Sequence, residues 1–447
     1  MQDANVVFNQ AIAHMQQGEW QKAEPFLDAL AETAIDNPNV LVNLGICEAN
    51  LNRPGVAIAL LSYACALAPD DAGPLVNLGA TFIGGIHRDV KRRALIRAAE
   101  IDPKHADAWG NLSGTYVQDG DPDPGIEAAQ RCVALEPDHA SAHNNLGLLY
   151  LEKGEWVTGW HHWRWRKKMA QWHGRPTYTA PEWDGTPVAS LLVRGEQGIG
   201  DEVMFLSYLD LLLARVSNRL VLEVNPKLVP LVRRSLIDPR LEVIGTEAEF
   251  TGTVDAQCCL GDLPELLDQM VPPQRSHYLQ PDVSRVRHWQ QWLAAHGPRP
   301  WVAFGLHGGT KASHEYVRNC APDEWRPVID AAGSAYSIQY GPSGPRRSAE
   351  AGIPLLHIPA NDLMEQAAFI AACDVLVSVP QTALHLAGAT GQRVFGVISD
   401  KPAWRYGLKG PMPWYSPEVV RLFRMAPGEK WRPVMERVAS AVKELAP

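Results

Sequence analysis

Nine consecutive residues, Arg194-Gly195-Glu196-Gln197-Gly198-Ile199-Gly200-Asp201-Glu202, crowd three glycines and three acids into one turn. They follow the β-type apolar run Ser190–Val193 and precede a helix-type run from Val203 to Ala214. A strand, a glycine turn and a helix in that order place a site at the carboxyl end of a parallel strand. Glycine lets the backbone bend tightly and approach a ligand, so Gly195, Gly198 and Gly200, with Gln197 between them, shape the loop. Their order, Gly-x-x-Gly-x-Gly, departs from the dinucleotide fingerprint Gly-x-Gly-x-x-Gly. Asp201 and Glu202 suit the dipole at a helix start but would repel a phosphate there. The loop therefore fits proton chemistry or sugar hydroxyls. An NAD-dependent use, with Glu223 as the ribose-binding acid, fails on the glycine order and on these acids.

Phosphate has a better place at Val379-Pro380-Gln381-Thr382-Ala383-Leu384-His385, where a strand ends, turns and starts a helix without an acid in its first turn. Free backbone amides there, with Thr382 and His385, form a pocket for a diphosphate. Helix capping is the plainer use of Thr382, and a buried helical position the plainer one of His385. Gln381 can hydrogen-bond a sugar hydroxyl. The loop 307–319 offers His307, Lys311, His314 and Arg318 after a strand. Such cations suit a negatively charged ligand, or simply stand in solvent. Gln339–Pro345 is placed to border a nucleobase, and Ser399–Tyr406, with Trp404, to border the same cleft.

These loops need a scaffold of alternating strands and helices, and the sequence supplies two. Residues 188–296 read as one Rossmann-like half, with strands at Val188–Val193, Arg219–Val224, Leu241–Ile244 and Ala256–Cys259. A bridging helix, Val283–His296, follows. Residues 297–447 read as a second half, with strands from Trp301, at Tyr336–Gln339, Leu355–Ile358, Val375–Val379 and Val394–Ile398, a loop at Gly341–Pro345 and a last helix near 430–445. Two such halves imply a cleft between their carboxyl-end loops.

The first third repeats. Asn9, Asn43, Asn77, Asn111 and Asn145 are each 34 residues apart, and Pro69, Pro103 and Pro137 keep the same period. Three asparagines open Asn-Leu-Gly triplets and Asn111 opens Asn-Leu-Ser. A 34-residue helix–turn–helix period is the tetratricopeptide signature. The units, about four and a half of them within residues 1–168, stack into an α-solenoid with a concave groove. Such a groove recruits a peptide or protein; a structural arm or a contact between copies in a homo-oligomer is its other use. Asn43, Asn77, Asn111 and Asn145 offer amides to an acceptor's backbone, or pack the repeats. Beyond them, Trp156, Trp160 and Trp163 fall on one helix face as a packed joint. The adjacent His161 and His162 point to different faces, so they do not form a metal pair. Residues 169–187 form a Pro/Trp-rich connector.

Composition is that of an ordinary soluble protein, 46% hydrophobic and 20% charged, with net charge −9. No basic block invites nucleic acid, and no apolar run reaches the length of a membrane span. The seven cysteines are scattered and form no Cys-x-x-Cys, as free thiols in a reducing cytoplasm would be.

Together these stretches resemble bacterial tetratricopeptide proteins whose catalytic part is similar to glycosyltransferase family 9, the lipopolysaccharide heptosyltransferase group. The resemblance runs over the repeats, Gly159-Trp160, Trp163–Arg166, Trp183-Asp184-Gly185 and Gly195–Asp201. It continues through Arg318, Asp374–Val379, His385–Ala389, Trp404-Arg405, Pro413–Tyr415 and Arg421–Phe423. It implies a GT-B fold, a nucleotide-sugar donor held mainly by the C-terminal half, inversion at the anomeric carbon, and no required metal or cofactor. By that likeness Asp201 aligns with an acid proposed as general base, supported by Glu196 or Glu202. Thr382 and His385 match the donor-diphosphate turn, and Lys311 is a looser match to a phosphate-contacting lysine. Sequences of the group usually read Asp-Thr-Ser where this chain reads Pro380-Gln381-Thr382. The acid near the donor sugar is therefore missing, which implies either a different sugar or lost catalysis. The expectation is an inverting glycosyltransferase acting on a protein or other large acceptor; a recruitment scaffold with a degenerate transferase domain is the alternative.

Overall fold

The 34-residue markers fall where helices meet. The computed structural model describes residues 3–82, 88–169, 178–196, 198–248, 250–309, 319–341, 343–356, 358–359 and 362–446. Among these described residues ten helices come first: α1 Ala4–Gln16, α2 Trp20–Thr33, α3 Pro38–Asn50, α4 Pro54–Leu67, α5 Ala72–Thr81, α6 Arg88–Ile101, α7 Ala106–Asp119, α8 Pro122–Leu135, α9 Ala140–Lys153 and α10 Trp156–Trp163. Prolines start α3, α4 and α8, where the missing N–H costs no helical bond. The leucine of each triplet, Leu44, Leu78, Leu112 and Leu146, is buried. The glycine marks the helix crossing. A Cβ on Gly45 would lie 2.8 Å from Leu61 Cγ, and one on Gly79 2.7 Å from Leu95 Cγ. Ser113, standing where a glycine would, is fully buried and donates to the Gly110 carbonyl at 2.8 Å. The asparagines also serve the packing. Asn43 and Asn77 donate to the carbonyls of Asn39 and Gly73 one turn back, at 2.8 and 2.9 Å. Asn145 donates to Ser113 Oγ at 2.7 Å.

The chain divides into two compact units, Met1–Leu149 with Trp165–Gln171, and Tyr150–Arg164 with Trp172–Pro447. This differs from a boundary at 168: α10 belongs to the second unit. The reason is aromatic. Trp160 is 1% exposed, donates its indole N–H to the Met270 carbonyl at 2.7 Å, and meets Phe205, Trp404 and Trp414 edge-on at 5.7–6.4 Å.

Among its described residues the second unit holds two parallel sheets. In the first, β1 Val188–Arg194, β2 Val216–Val224, β3 Leu241–Gly245 and β4 Ala256–Cys259 lie in the order β3-β2-β1-β4. In the second, β5 Trp301–Gly305, β6 Ser334–Ser337, β7 Val375–Ser378, β8 Val394–Ile398 and β9 Val420–Arg424 lie in the order β6-β5-β7-β8-β9. Leu191–Val193, Val302–Phe304 and Val375–Val377 are all 0% exposed, so both faces of each sheet are covered. The covering helices include α11 Ile199–Phe205, α12 Leu209–Leu213, α13 Val229–Ser235, α14 Leu263–Leu266 and α15 Val283–His296. After β5 come α16 Arg326–Ala331, α17 Gly344–Ala351, α18 Leu363–Ala372, α19 Thr382–Ala389 and α20 Trp431–Lys443.

Two expectations change and one strand is added. Among the described residues of 355–358, an isolated bridge joins Leu355 to Ser337 in place of a strand. The Gly/Pro stretch at 341–345 is not all loop, because Gly344 and Pro345 open α17, a helix position that tolerates proline. Val420–Arg424 is an edge strand, where Arg421 is exposed and Arg424 donates to the carbonyls of Tyr406, Gly407 and Gly410.

Candidate functional site

Sheet order locates the site. In an open parallel sheet, ligands bind beyond the carboxyl ends of the strands where the strand order reverses. The first sheet reverses between β1 and β4, the second between β5 and β7. The loops after β1, β5 and β7 therefore stand at the two switch points, and they line one cavity of about 620 Å³. Gly198 to Asp201 come from the first sheet's loop. His307 to Gly309, Gln339, Tyr340, Ser343, Arg347, Pro380 to Thr382, His385, Arg405 and Tyr406 come from the second. Close approach is built in. A Cβ on Gly308 would sit 2.0 Å from the Pro380 carbonyl oxygen, and one on Gly200 3.3 Å from His385 Cδ2.

Two amide clamps fix the loop after β5. The His307 N–H donates to Gln339 Oε1 and Gln339 Nε2 donates back to the His307 carbonyl, both at 3.0 Å. The Gly308 N–H donates to Asn319 Oδ1 at 2.8 Å, and Asn319 Nδ2 returns a bond to the Gly308 carbonyl at 3.0 Å. Gln339 lines the cavity but spends its amide on this clamp. Gln381 donates to Ser378 Oγ at 3.1 Å and caps α19 without a side-chain bond. Thr382 opens α19, whose first turn carries no acid.

The three acids of the β1 loop separate in role. Asp201 lines the cavity. Glu196 is 7% exposed and accepts from the Gly261 N–H at 2.8 Å, tying the loop to the end of β4. Glu202 is 1% exposed and accepts from the Asn225 N–H at 2.8 Å, tying α11 to the end of β2. Both support the turn as braces. Gly195 allows this, because a Cβ there would meet Glu202 Oε1 at 2.4 Å.

Asp201 is held by a partner from 204 residues away. Arg405 Nη2 donates to Asp201 Oδ2 at 2.6 Å and Arg405 Nε to Oδ1. Burial works against the Arg405 charge, but Asp201 outweighs it, so the guanidinium is held above its ordinary value. Behind it stands Trp404, 4% exposed, its ring 4.9 Å from the guanidinium carbon. Trp404 packs against Trp160 and Trp163 and does not line the cavity. The ring is packed behind Arg405 and outside the cavity, away from the donor-binding place the sequence suggests for it.

His385 lines the cavity as an uncharged group. Its Nε2 faces Tyr406 Oη at 3.1 Å and its Nδ1 faces Tyr415 Oη at 3.3 Å. Burial, with Arg405 adding and Asp201 opposing, lowers its pKa to about 4. In this arrangement it carries no charge near neutral pH, and it faces the cavity as a neutral ring beside the start of α19. The small residues after it are explained by Tyr415, since a Cβ on Gly388 would meet that ring at 2.8 Å. Among the described residues, the cations lining the cavity are Arg405 and Arg347, and no carboxylate pairs with Arg347. Arg347 escaped the sequence reading because nothing local separates it from a solvated helical arginine. Gln197, Lys311, His314 and Arg318 lie outside the described residues. Among the described residues no three His, Cys, Asp or Glu side chains gather as a metal ion would need.

The tetratricopeptide repeat family matches residues 8–72 and 115–158. The N-terminal region carries tetratricopeptide repeats, a scaffold for protein interaction. Protein FlbA of Caulobacter vibrioides is 30% identical over 303 residues, 61% of this chain and 50% of that one. The chain thus spans about half the length of this curated relative. Among solved structures, MamA from Desulfovibrio magneticus RS-1 is similar at 22% identity, covering 39% of this chain and 98% of that one, with a TM-score of 0.32. A thermophilic tetratricopeptide protein of Thermus thermophilus is similar at 16% identity, covering 38% and 92%, with a TM-score of 0.34. No helix among the described residues is long and apolar enough to cross a membrane.

Proposed function

We propose that this chain is an inverting, metal-independent glycosyltransferase of GT-B type, resembling glycosyltransferase family 9. It moves a sugar from a nucleotide-sugar donor to a protein or other large acceptor recruited by the repeats. One observation carries the reading: both switch-point loops open on one cavity, with the acid on the first sheet's side and an acid-free helix start on the second's. Asp201 takes the proton of the attacking acceptor hydroxyl as its oxygen bonds to the anomeric carbon. The bond from that carbon to the diphosphate breaks, and the nucleoside diphosphate leaves. The start of α19 with Thr382, together with Arg347 and Arg405, offsets the charge developing on it. Lys311 and Arg318, between β5 and α16 in the sequence, add cations to that role, and Gln381 addresses a sugar hydroxyl. The test is turnover of nucleotide sugars by Asp201→Asn. Transfer should collapse while nucleotide binding survives, and unchanged turnover sinks the assignment.

A second reading has an observation of its own. Asp201 is engaged by Arg405, and Pro380-Gln381 stand where an acid is usual. These features suit a protein-recruiting scaffold whose transferase part has lost catalysis. Calorimetry with UDP-, GDP-, ADP- and CMP-sugars separates the two, since the scaffold needs none of them.

A further inference from the structure

The Asp201–Arg405 pair is an awkward arrangement for a general base. Both carboxylate oxygens face one guanidinium fork, Nη2 at 2.6 Å from Oδ2 and Nε on Oδ1. Such a pair engages both carboxylate oxygens with one charged donor group. The pair stands at the wall of the cavity, with Arg405 22% and Asp201 17% exposed at their side chains. The other groups around it do not replace either partner. His385 is neutral, and its two ring nitrogens face Tyr406 and Tyr415. Glu196 is close enough to raise Arg405 further, yet its carboxylate accepts from Gly261. Phosphate oxygens match the guanidinium fork as well as a carboxylate does and carry more charge.

We propose that Arg405 is a transferable clamp. In the empty cavity it holds Asp201. When a nucleoside diphosphate group enters, Arg405 moves its donors to the phosphates and leaves the Asp201 carboxylate open to the acceptor hydroxyl. This rests on the nucleotide-sugar reading of the cavity. It makes Asp201 a competitor of the ligand for Arg405, and it makes the base available only after the donor has bound, so the acceptor reacts second.

Competition gives a prediction of unusual sign. UDP, GDP, ADP and inorganic pyrophosphate would be titrated by calorimetry into the full-length chain, Asp201→Asn, Arg405→Gln and the double variant. The diphosphate that binds should bind Asp201→Asn more tightly than the parent, by roughly tenfold, the worth of one charge-assisted hydrogen bond. Arg405→Gln should bind it more weakly by a similar factor. In the Arg405→Gln background, Asp201→Asn should then change little. Where Arg405→Gln does not fold, Arg405→Lys keeps the charge without the fork, and the gain on adding Asp201→Asn should shrink. Equal affinity of parent and Asp201→Asn overturns the clamp. So does an equal gain in both backgrounds, which is simple repulsion by the acid. Binding without coupling leaves the transferase reading standing. No binding of any of these ligands, to any variant, overturns that reading and the clamp with it.

Discussion

The turns after β1 and β7 are built alike and charged oppositely. Each follows a buried parallel strand, each opens a short helix, and each sits at a switch point of its sheet. The first turn of α11 carries Asp201 and Glu202; that of α19 carries no acid. One geometry can thus serve a proton or an anion, and which it serves is set by one or two side chains at the helix start. The comparison also shows that like positions need not carry like burdens. Around the first turn, Glu196 and Glu202 are consumed in holding its shape. At the second, His385 is neutralised by its surroundings, and among the described residues the cavity's positive charge comes from Arg347 and Arg405.

The largest effect should come from making the two turns alike. Asp201→Asn removes the acid that distinguishes the first, and transfer measured with saturating donor should fall by roughly 10²–10⁴-fold, the range for a lost general base. Next in size is a change behind the second turn. Trp160→Ala should cost about 3–5 kcal/mol in denaturant unfolding, and nucleotide affinity should fall with it, because Trp404 and Arg405 lose their backing. If affinity holds while stability drops, the aromatic cluster does not position Arg405.

Acid should separate the turns as well. The unfolded chain protonates His385 near its ordinary 6.5, while the folded protein resists until about 4. The folded value is depressed, so this contribution is whole above about 6.5 and is lost as the pH falls from there to about 4. It amounts to on the order of 3 kcal/mol, and His385→Gln should flatten that stretch of the unfolding midpoint against pH. A curve of the same slope in the variant removes His385 as its cause. The smallest effect is steric. Gly308→Ala forces the loop after β5 away from Pro380 and should cost about 1–3 kcal/mol, with weaker nucleotide binding and unaltered repeats. Wild-type affinity in that variant would show that the two loops need not touch.

What could be read from the sequence was what is local. The repeats announced themselves because asparagine and proline share one 34-residue period, and both turns were visible as strand, bend and helix. What escaped was decided at long range. Arg405 reaches Asp201 across 204 residues, and nothing near Asp201 announces it. Tyr406 and Tyr415 arrive at His385 from a separate loop, so its lost charge has no local signature. Trp404 looked like a ligand platform because an exposed and a buried tryptophan read alike. Helix α17 hid behind Gly344-Pro345, a pair that marks turns as readily as helix starts. Strand β9 hid because Arg421 and Arg424 interrupt its apolar run.

Helix α10 bears on how this chain can be cut and recombined. It follows the repeat helix α9, yet Trp160 is rooted among Phe205, Trp404 and Trp414. The repeats are therefore not a detachable cassette ending at 168. A truncation that starts at 169 or 188 pulls a tryptophan out of the sheet-bearing unit and leaves an apolar hole beside Arg405. One that keeps 150 onward leaves that packing whole. Exchanging this array for another by recombination would have to carry α10 along, because Trp160 and Trp163 both pack against Trp404.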